Sequence, residues 1–196
     1  MIKKIICNTD NVNDVKSLFN EIVSLKKNYG VFIFGQPGVG KTFFAKKILD
    51  NLKNVYNEIF INQNIKNSFF YIDVHRWISD IVNSWKSESY NSFKVKTNAN
   101  LLILDDLGSE FFHESTSQNI LSLFDDRYSY LESFNSDEIK NITIITSNYS
   151  LDELKNKYKK LVKDDVLVNR ILSRINGCLN LEVKFIGEDK RKFNKD

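Results

Sequence analysis

Apolar positions along this 196-residue chain follow two alternating rhythms. Short solid runs, Val31 to Phe34, Leu101 to Leu104 and Ile142 to Ile145, read as strands buried on both faces. Ser68 to Ile72 reads as a further strand, and Cys178 to Val183 as a last one. Between them the apolar residues recur at helical spacing. Val12, Val15, Phe19, Ile22 and Val23 form one stripe within residues 12 to 27, with Asp10 or Asn11 placed to cap it. A helix is expected from Lys41 to about Leu52. Asp73 is positioned to cap another that carries Val74, Trp77, Ile78, Ile81, Val82 and Trp85. Ile120, Leu121, Phe124 and Tyr128 mark a fourth helix. Ser150 with Glu153 makes a capping-box pattern opening a fifth, and residues 165 to 175 form a sixth. Residues 86 to 98 are polar and read as a loop. Solid strands alternating with helices predict an α/β fold with a central parallel sheet covered on both faces. Ligands of such sheets sit at the carboxyl ends of the strands.

Three of the chain's seven glycines and its only proline fall at one such end, in "FIFGQPGVGKTFF". Gly35, Gln36, Pro37, Gly38, Val39, Gly40, Lys41 and Thr42 fit the phosphate-loop spacing G-x-x-x-x-G-K-[ST]. Glycines let the backbone curl so that its N–H groups face an anion, and the following helix adds its positive end. Lys41 is placed to reach the outer phosphates and the Thr42 hydroxyl to coordinate Mg2+. The strand before the loop and the helix after it supply the context this motif requires.

Further polar groups end the next two buried strands. In "NLLILDDLG", Asp105 would hold Mg2+ directly or through water, and Asp106 would orient or deprotonate an attacking water. By itself this stretch is equally a core strand with an acidic turn; the phosphate loop tips the reading toward chemistry. In "NITIITSN", Asn148 stands where an amide can hold that water or touch the γ-phosphate. In "NRILSRI", Arg170 and Arg174 lie four apart on the rim of a helix whose core face is Leu167, Val168, Ile171, Leu172 and Ile175. An arginine there can stabilise charge at a neighbouring subunit's phosphates; spacing alone favours two solvated arginines.

Together these pieces resemble the AAA+ ATPases, and within them the DnaC/DnaI helicase loaders and the IstB-like transposition ATPases. The matching text is "FGQPGVGKT", "SFFYIDVHRWISDI", "LLILDDLGSE", "IITSNYSLDEL", "NRILSRI" and "GEDKR", over about residues 28 to 191. The resemblance implies a P-loop NTPase (AAA+) three-layer sandwich that binds ATP and Mg2+ and hydrolyses ATP. It implies that Asp105 is the magnesium aspartate, Asp106 the catalytic acid, Asn148 the sensor, and Arg174 an arginine finger given in trans, with Arg170 a weaker second. The closing Gly187 to Arg191 matches the family's final motif without a defined chemistry. The implied partners are a replicative helicase or a transposase, single-stranded DNA, and further copies of the chain in a homo-oligomer. Aspartate at position 106, where many AAA+ enzymes use glutamate, implies slow hydrolysis. Loaders of this family carry a helicase-gripping domain ahead of the ATPase core. Here about thirty residues precede the first predicted strand, enough for one helix. The expected division is a short helical segment over 1–29, an ATPase core over 30–186 and a basic tail over 187–196.

Composition narrows the alternatives. With 42% hydrophobic residues the chain can build one ordinary core. No apolar run is long enough to span a membrane and "MIKKIICNTD" is too polar for a signal peptide, which predicts a cytoplasmic protein. Cys7 and Cys178 lack metal-site spacing and read as reduced, packed thiols. A net charge of +3 is compatible with nucleic acid without demanding it. Five lysines surround Tyr158 in "LKNKYKKLVK", either a stacking and phosphate-binding surface or the solvated side of an amphipathic helix. His75 and His113 have no matching partner in the sequence. A small-molecule kinase would need an arginine-rich lid, and residues 86 to 98 contain no arginine.

Overall fold

The computed structural model describes residues 2–24, 28–60, 69–84, 97–110, 113–133 and 141–192. Six strands form one parallel sheet: β1 (Lys3–Asn8), β2 (Tyr29–Gly35), β3 (Phe69–Asp73), β4 (Leu101–Leu107), β5 (Ile142–Ser147) and β6 (Leu181–Ile186). Their spatial order is β1-β6-β2-β5-β4-β3. The chain leaves β2 for the far edge, returns through β4 and β5, then crosses to the other side with β6. The carboxyl end of β2 is therefore a topological switch point, where α/β sheets bind ligands.

Strand alternation sorts the core into two layers. Val31, Ile33, Leu101, Ile103, Ile144 and Val183 face α1 (Val12–Ser24) and α2 (Lys41–Phe60), meeting Leu18, Ile22, Phe44, Ile48 and Leu52. Phe32, Leu102, Leu104 and Ile145 face α3 (Val74–Ser84), α4 (Glu114–Ser133), α5 (Leu151–Leu161) and α6 (Asp165–Gly177). This is the three-layer α/β architecture expected from the sequence. Three expected caps form: Asn11 Oδ1 accepts from Asn13 N, Asp73 Oδ1 from Arg76 N, and Ser150 with Glu153 closes a full capping box. Both cysteines are buried and unpaired, and burial raises the Cys7 thiol to about 11.

Three boundaries differ from expectation. The first thirty residues contribute a strand as well as a helix, because Ile5 and Cys7 alternate inward while β1 pairs in parallel with β6. Helix α2 continues from Leu52 to Phe60, since no glycine or proline interrupts residues 53–60. The last strand starts at Leu181, after Cys178 closes α6 by donating its N–H to Arg174 O and Ile175 O. The polar stretch expected to be a loop, and Trp85, lie almost wholly outside the described residues.

Candidate active site

A cavity of about 1250 Å3 opens at the switch point. It is lined by Pro37, Gly38, Val39 and Gly40 of the loop between β2 and α2 and by Lys41 and Thr42 at the start of α2. Gly38 and Gly40 adopt φ of 87° and 95°, a region costly for residues with a Cβ. At Gly38 a Cβ would also sit 1.9 Å from Asp189 Oδ1. Gly35 ends β2, and its carbonyl accepts from Lys41 Nζ at 2.8 Å.

Lys41 is buried and fully engaged within the protein. Its ammonium also donates to Gln36 O at 3.0 Å and Asn148 Oδ1 at 2.8 Å. Burial lowers its pKa, and the nearby Asp106 and Asp105 carboxylates act in the opposite direction. These neutral acceptors hold the cation where an anion can later compete for it.

The paired carboxylates reach the cavity through an irregularity in β4. Leu104 pairs with Ile145 and Leu107 with Ser147, so β4 fits one extra residue against β5. In a regular strand Asp105 would point toward α2 and Asp106 to the opposite layer. The bulge, with Asp106 at φ 61°, brings both carboxylates to the cavity wall. Asp106 N donates to Thr146 Oγ1 at 2.9 Å, and Asp106 Oδ1 accepts from Asn148 Nδ2 at 3.0 Å. Asn148 thus joins Lys41 to Asp106 through its two amide atoms.

Asp105 is 5% exposed. Its Oδ1 accepts from Thr42 Oγ1 at 3.0 Å and Thr146 Oγ1 at 2.5 Å, and its Oδ2 from Tyr71 Oη at 2.6 Å. Among the described residues it has no ion-pair partner. A buried carboxylate among neutral hydroxyls fits a hard cation. Among the described residues no three His, Cys, Asp or Glu gather into a metal cluster. Mg2+ is such a cation, binding through one or two carboxylates together with substrate phosphates and water.

Three contributors have no chemistry legible in the sequence: Tyr71, and Lys190 and Arg191 of the closing Gly187–Arg191 motif. Tyr71 reaches Asp105 from the neighbouring strand. Lys190 and Arg191 line the cavity, where Lys190 N donates to Gly38 O and Arg191 pairs with Asp189. The basic end of the chain thus rests on the phosphate loop as far as residue 191. Three aromatic rings also line the cavity, where Phe44 meets Phe19 and Phe185 edge-on at 6.2 and 5.3 Å. Helical periodicity marked Phe19 as core, and the closing strand carried no sign of this role for Phe185.

Arg174 and Arg170 stand away from this cavity. Both turn to Asp125 on α4, Arg174 through Nε and Arg170 at 3.9 Å, and Arg174 also covers the Tyr128 ring at 5.0 Å. They lie on the helix that leads into the start of β6, whereas the phosphate loop follows the end of β2. Tyr158 is no stacking platform. It is fully buried and donates to Glu110 Oε1, since it continues the inward stripe of Leu151 and Leu154. Lys157 donates to Gly108 O and Lys159 pairs with Asp165, which leaves Lys155, Lys160 and Lys163 as the exposed basic positions there. His75 Nδ1 lies 3.1 Å from Ser109 O, on the loop after Asp106.

No curated protein sequence matches the chain. Among solved structures, that of the DnaC helicase loader is similar at 25% identity and a TM-score of 0.58, covering 90% of this chain and 96% of that one. DnaI is similar at 21% identity and a TM-score of 0.62, covering 89% and 85%. A replication initiator DnaA bound to AMPPCP and single-stranded DNA is similar at 21% identity and a TM-score of 0.55, covering 91% and 46%. The chain spans 46–59% of the length of three DnaA structures to which it is similar. These likenesses show the AAA+ fold. The family model of the bacterial DnaA ATPase domain matches residues 16–133, more than half of the chain. The chain therefore belongs to the family of the bacterial DnaA ATPase domain, with an AAA+ fold similar to those of DnaC and DnaI.

Proposed function

We propose that this protein binds ATP with Mg2+ at the cavity, hydrolyses it slowly, and acts in DNA replication as a loader of a replicative helicase onto single-stranded DNA. The observation that carries the nucleotide reading is the convergence of Lys41, Thr42, Asp105, Asp106 and Asn148 on one cavity that Phe19, Phe44 and Phe185 also line. The triphosphate lies against the loop and the amino end of α2, whose dipole favours it. The base lies toward Phe19, Phe44 and Phe185. Lys41 exchanges the carbonyls of Gly35 and Gln36 for phosphate oxygens. Mg2+, when bound, would neutralise phosphate charge, held by Thr42 and Asp105. Asp106, steadied by Asn148, orients the attacking water and takes its proton. The shorter reach of aspartate and the left-handed backbone at residue 106 support a slow rate.

Arg174 acts in trans within a homo-oligomer, leaving Asp125 and Tyr128 for the phosphates of the adjoining copy. Its position on the helix feeding the start of β6 supports that role. A subunit-mixing assay tests it. Asp106→Asn should lose about 10²- to 10⁴-fold in turnover and Arg174→Ala about 10³- to 10⁵-fold, and their mixture should regain part of it. In the mixture an intact Asp106 meets an intact Arg174 across one interface. A mixture as inactive as its components contradicts action in trans.

The loader assignment is supported by the likeness to the DnaC helicase loader over nearly all of that chain. Exposed Lys155, Lys160 and Lys163 on and after α5 give phosphates of single-stranded DNA a site. A pull-down with purified replicative helicase in ATP and in ADP should capture the helicase with a difference between the two nucleotides. No nucleotide-dependent capture overturns the loader role and leaves the ATPase reading standing.

A further inference from the structure

We propose that Tyr71 is a positioning residue for the metal site: its hydroxyl fixes the orientation of Asp105 and thereby sets the affinity for Mg2+ in the presence of nucleotide. This rests on the reading of Asp105 as the metal-bearing carboxylate. In the register of β3 against β4, Tyr71 lies opposite Ile103 and Asp73 opposite Asp105. Tyr71 therefore shares a face with Ile103 and Asp105, toward α2, and stands two residues short of the carboxylate. Two strand residues span about 6.6 Å, a gap that a phenol bridges and a shorter hydroxyl side chain does not. The result is the 2.6 Å hydrogen bond to Oδ2.

The three hydroxyls on Asp105 are not equivalent. Among the described residues, Thr42 and Thr146 both donate to Oδ1 and Tyr71 is the one donor to Oδ2. When Thr42 turns its oxygen toward a cation, Thr146 still holds Oδ1 and Tyr71 still holds Oδ2. Without the phenol the carboxylate can rotate about its Cβ–Cγ bond, and the cation site loses its preset geometry. Outer-sphere partners that orient ligands are worth about 10- to 100-fold in metal affinity. Tyr71 is itself secured, since its ring lies under Lys46 Nζ at 5.1 Å from the centroid.

The test titrates Mg2+ into the full chain with a fluorescent, non-hydrolysable ATP analogue and reads nucleotide binding. Tyr71→Phe keeps the ring and deletes the donor. It should raise the Mg2+ midpoint about 10- to 100-fold, leave analogue affinity in EDTA unchanged, and melt as a folded protein. Tyr71→Leu repeats the measurement without the ring, so the result does not hang on one variant. A midpoint equal to wild type in a folded variant overturns the role of Tyr71. Equal weakening with and without Mg2+ overturns it too, since that marks general damage to the pocket. A wild-type protein whose binding ignores Mg2+ overturns the metal reading beneath it, a different and separately visible result.

Discussion

Asp106→Asn is expected to cut ATP turnover by about 10²- to 10⁴-fold, the usual worth of a positioned general base, while leaving ATP binding intact. The substitution is unusually clean at this position. Residue 106 has φ 61°, and asparagine is among the few residues that enter that region readily. The bond from Asn148 Nδ2 to Oδ1 survives, because the amide carbonyl of the new side chain can accept it. Only the proton acceptor disappears. Asp106→Glu makes the complementary test. It keeps the carboxylate, adds a methylene and pays for a longer side chain at positive φ, so it should lose stability while retaining some hydrolysis. Single-turnover hydrolysis with a thermal melt separates the two variants. Unchanged turnover in Asp106→Asn would assign the attacking water to another group.

The second large effect lies at the opposite end of the sheet. Arg127→Ala is expected to destabilise the fold by about 3 kcal/mol, or roughly 6–12 °C in Tm for a domain of this size. Arg127 is completely buried on α4. Its Nε donates to Thr143 Oγ1 at 2.8 Å, Nη1 to Thr97 O and Ala99 O at 2.8 and 2.6 Å, and Nη2 to Ile142 O at 3.1 Å. One guanidinium thus ties α4 to the starts of β4 and β5. Burial lowers its pKa to about 10, so it is still a cation at neutral pH. Truncation strips a donor from three carbonyls and opens a cavity. Arg127→Lys keeps the charge but not the planar fork, and should fall between wild type and alanine. Thermal unfolding by circular dichroism checks the order. A loss under about 2 °C in Arg127→Ala would show that water or a neighbour satisfies those carbonyls.

These two residues mark what the sequence reveals and what it conceals. Strands buried on both faces announce themselves as solid apolar runs, and so β2, β4 and β5 are legible, each with its polar tip. The edge strand β1 is not, because only Ile5 and Cys7 face inward and it opens with two lysines. The bulge that turns Asp106 into the cavity has no signature beyond the paired aspartates. Tyr71 reads as one more aromatic in "FFYID", and only the register of β3 against β4 shows that its hydroxyl meets Asp105. Arg127 sits in a polar stretch, and its role depends on carbonyls from two distant strand starts. Tyr158 was legible, since Leu151, Leu154 and Tyr158 fall at i, i+3 and i+7, the spacing of a buried stripe; its lysine neighbours pull the eye toward the surface.

The central claim is that one cavity grips a triphosphate between the loop at residues 35–42 and the carboxylate of Asp105. A crystal structure of the full chain with a non-hydrolysable ATP analogue and Mg2+ tests it most directly. Phosphates should lie along the loop, with Lys41 moved from the carbonyls of Gly35 and Gln36 onto phosphate oxygens and the ion held by Thr42 and Asp105. Analogue bound elsewhere, or Lys41 still held by those carbonyls with nucleotide present, would contradict it.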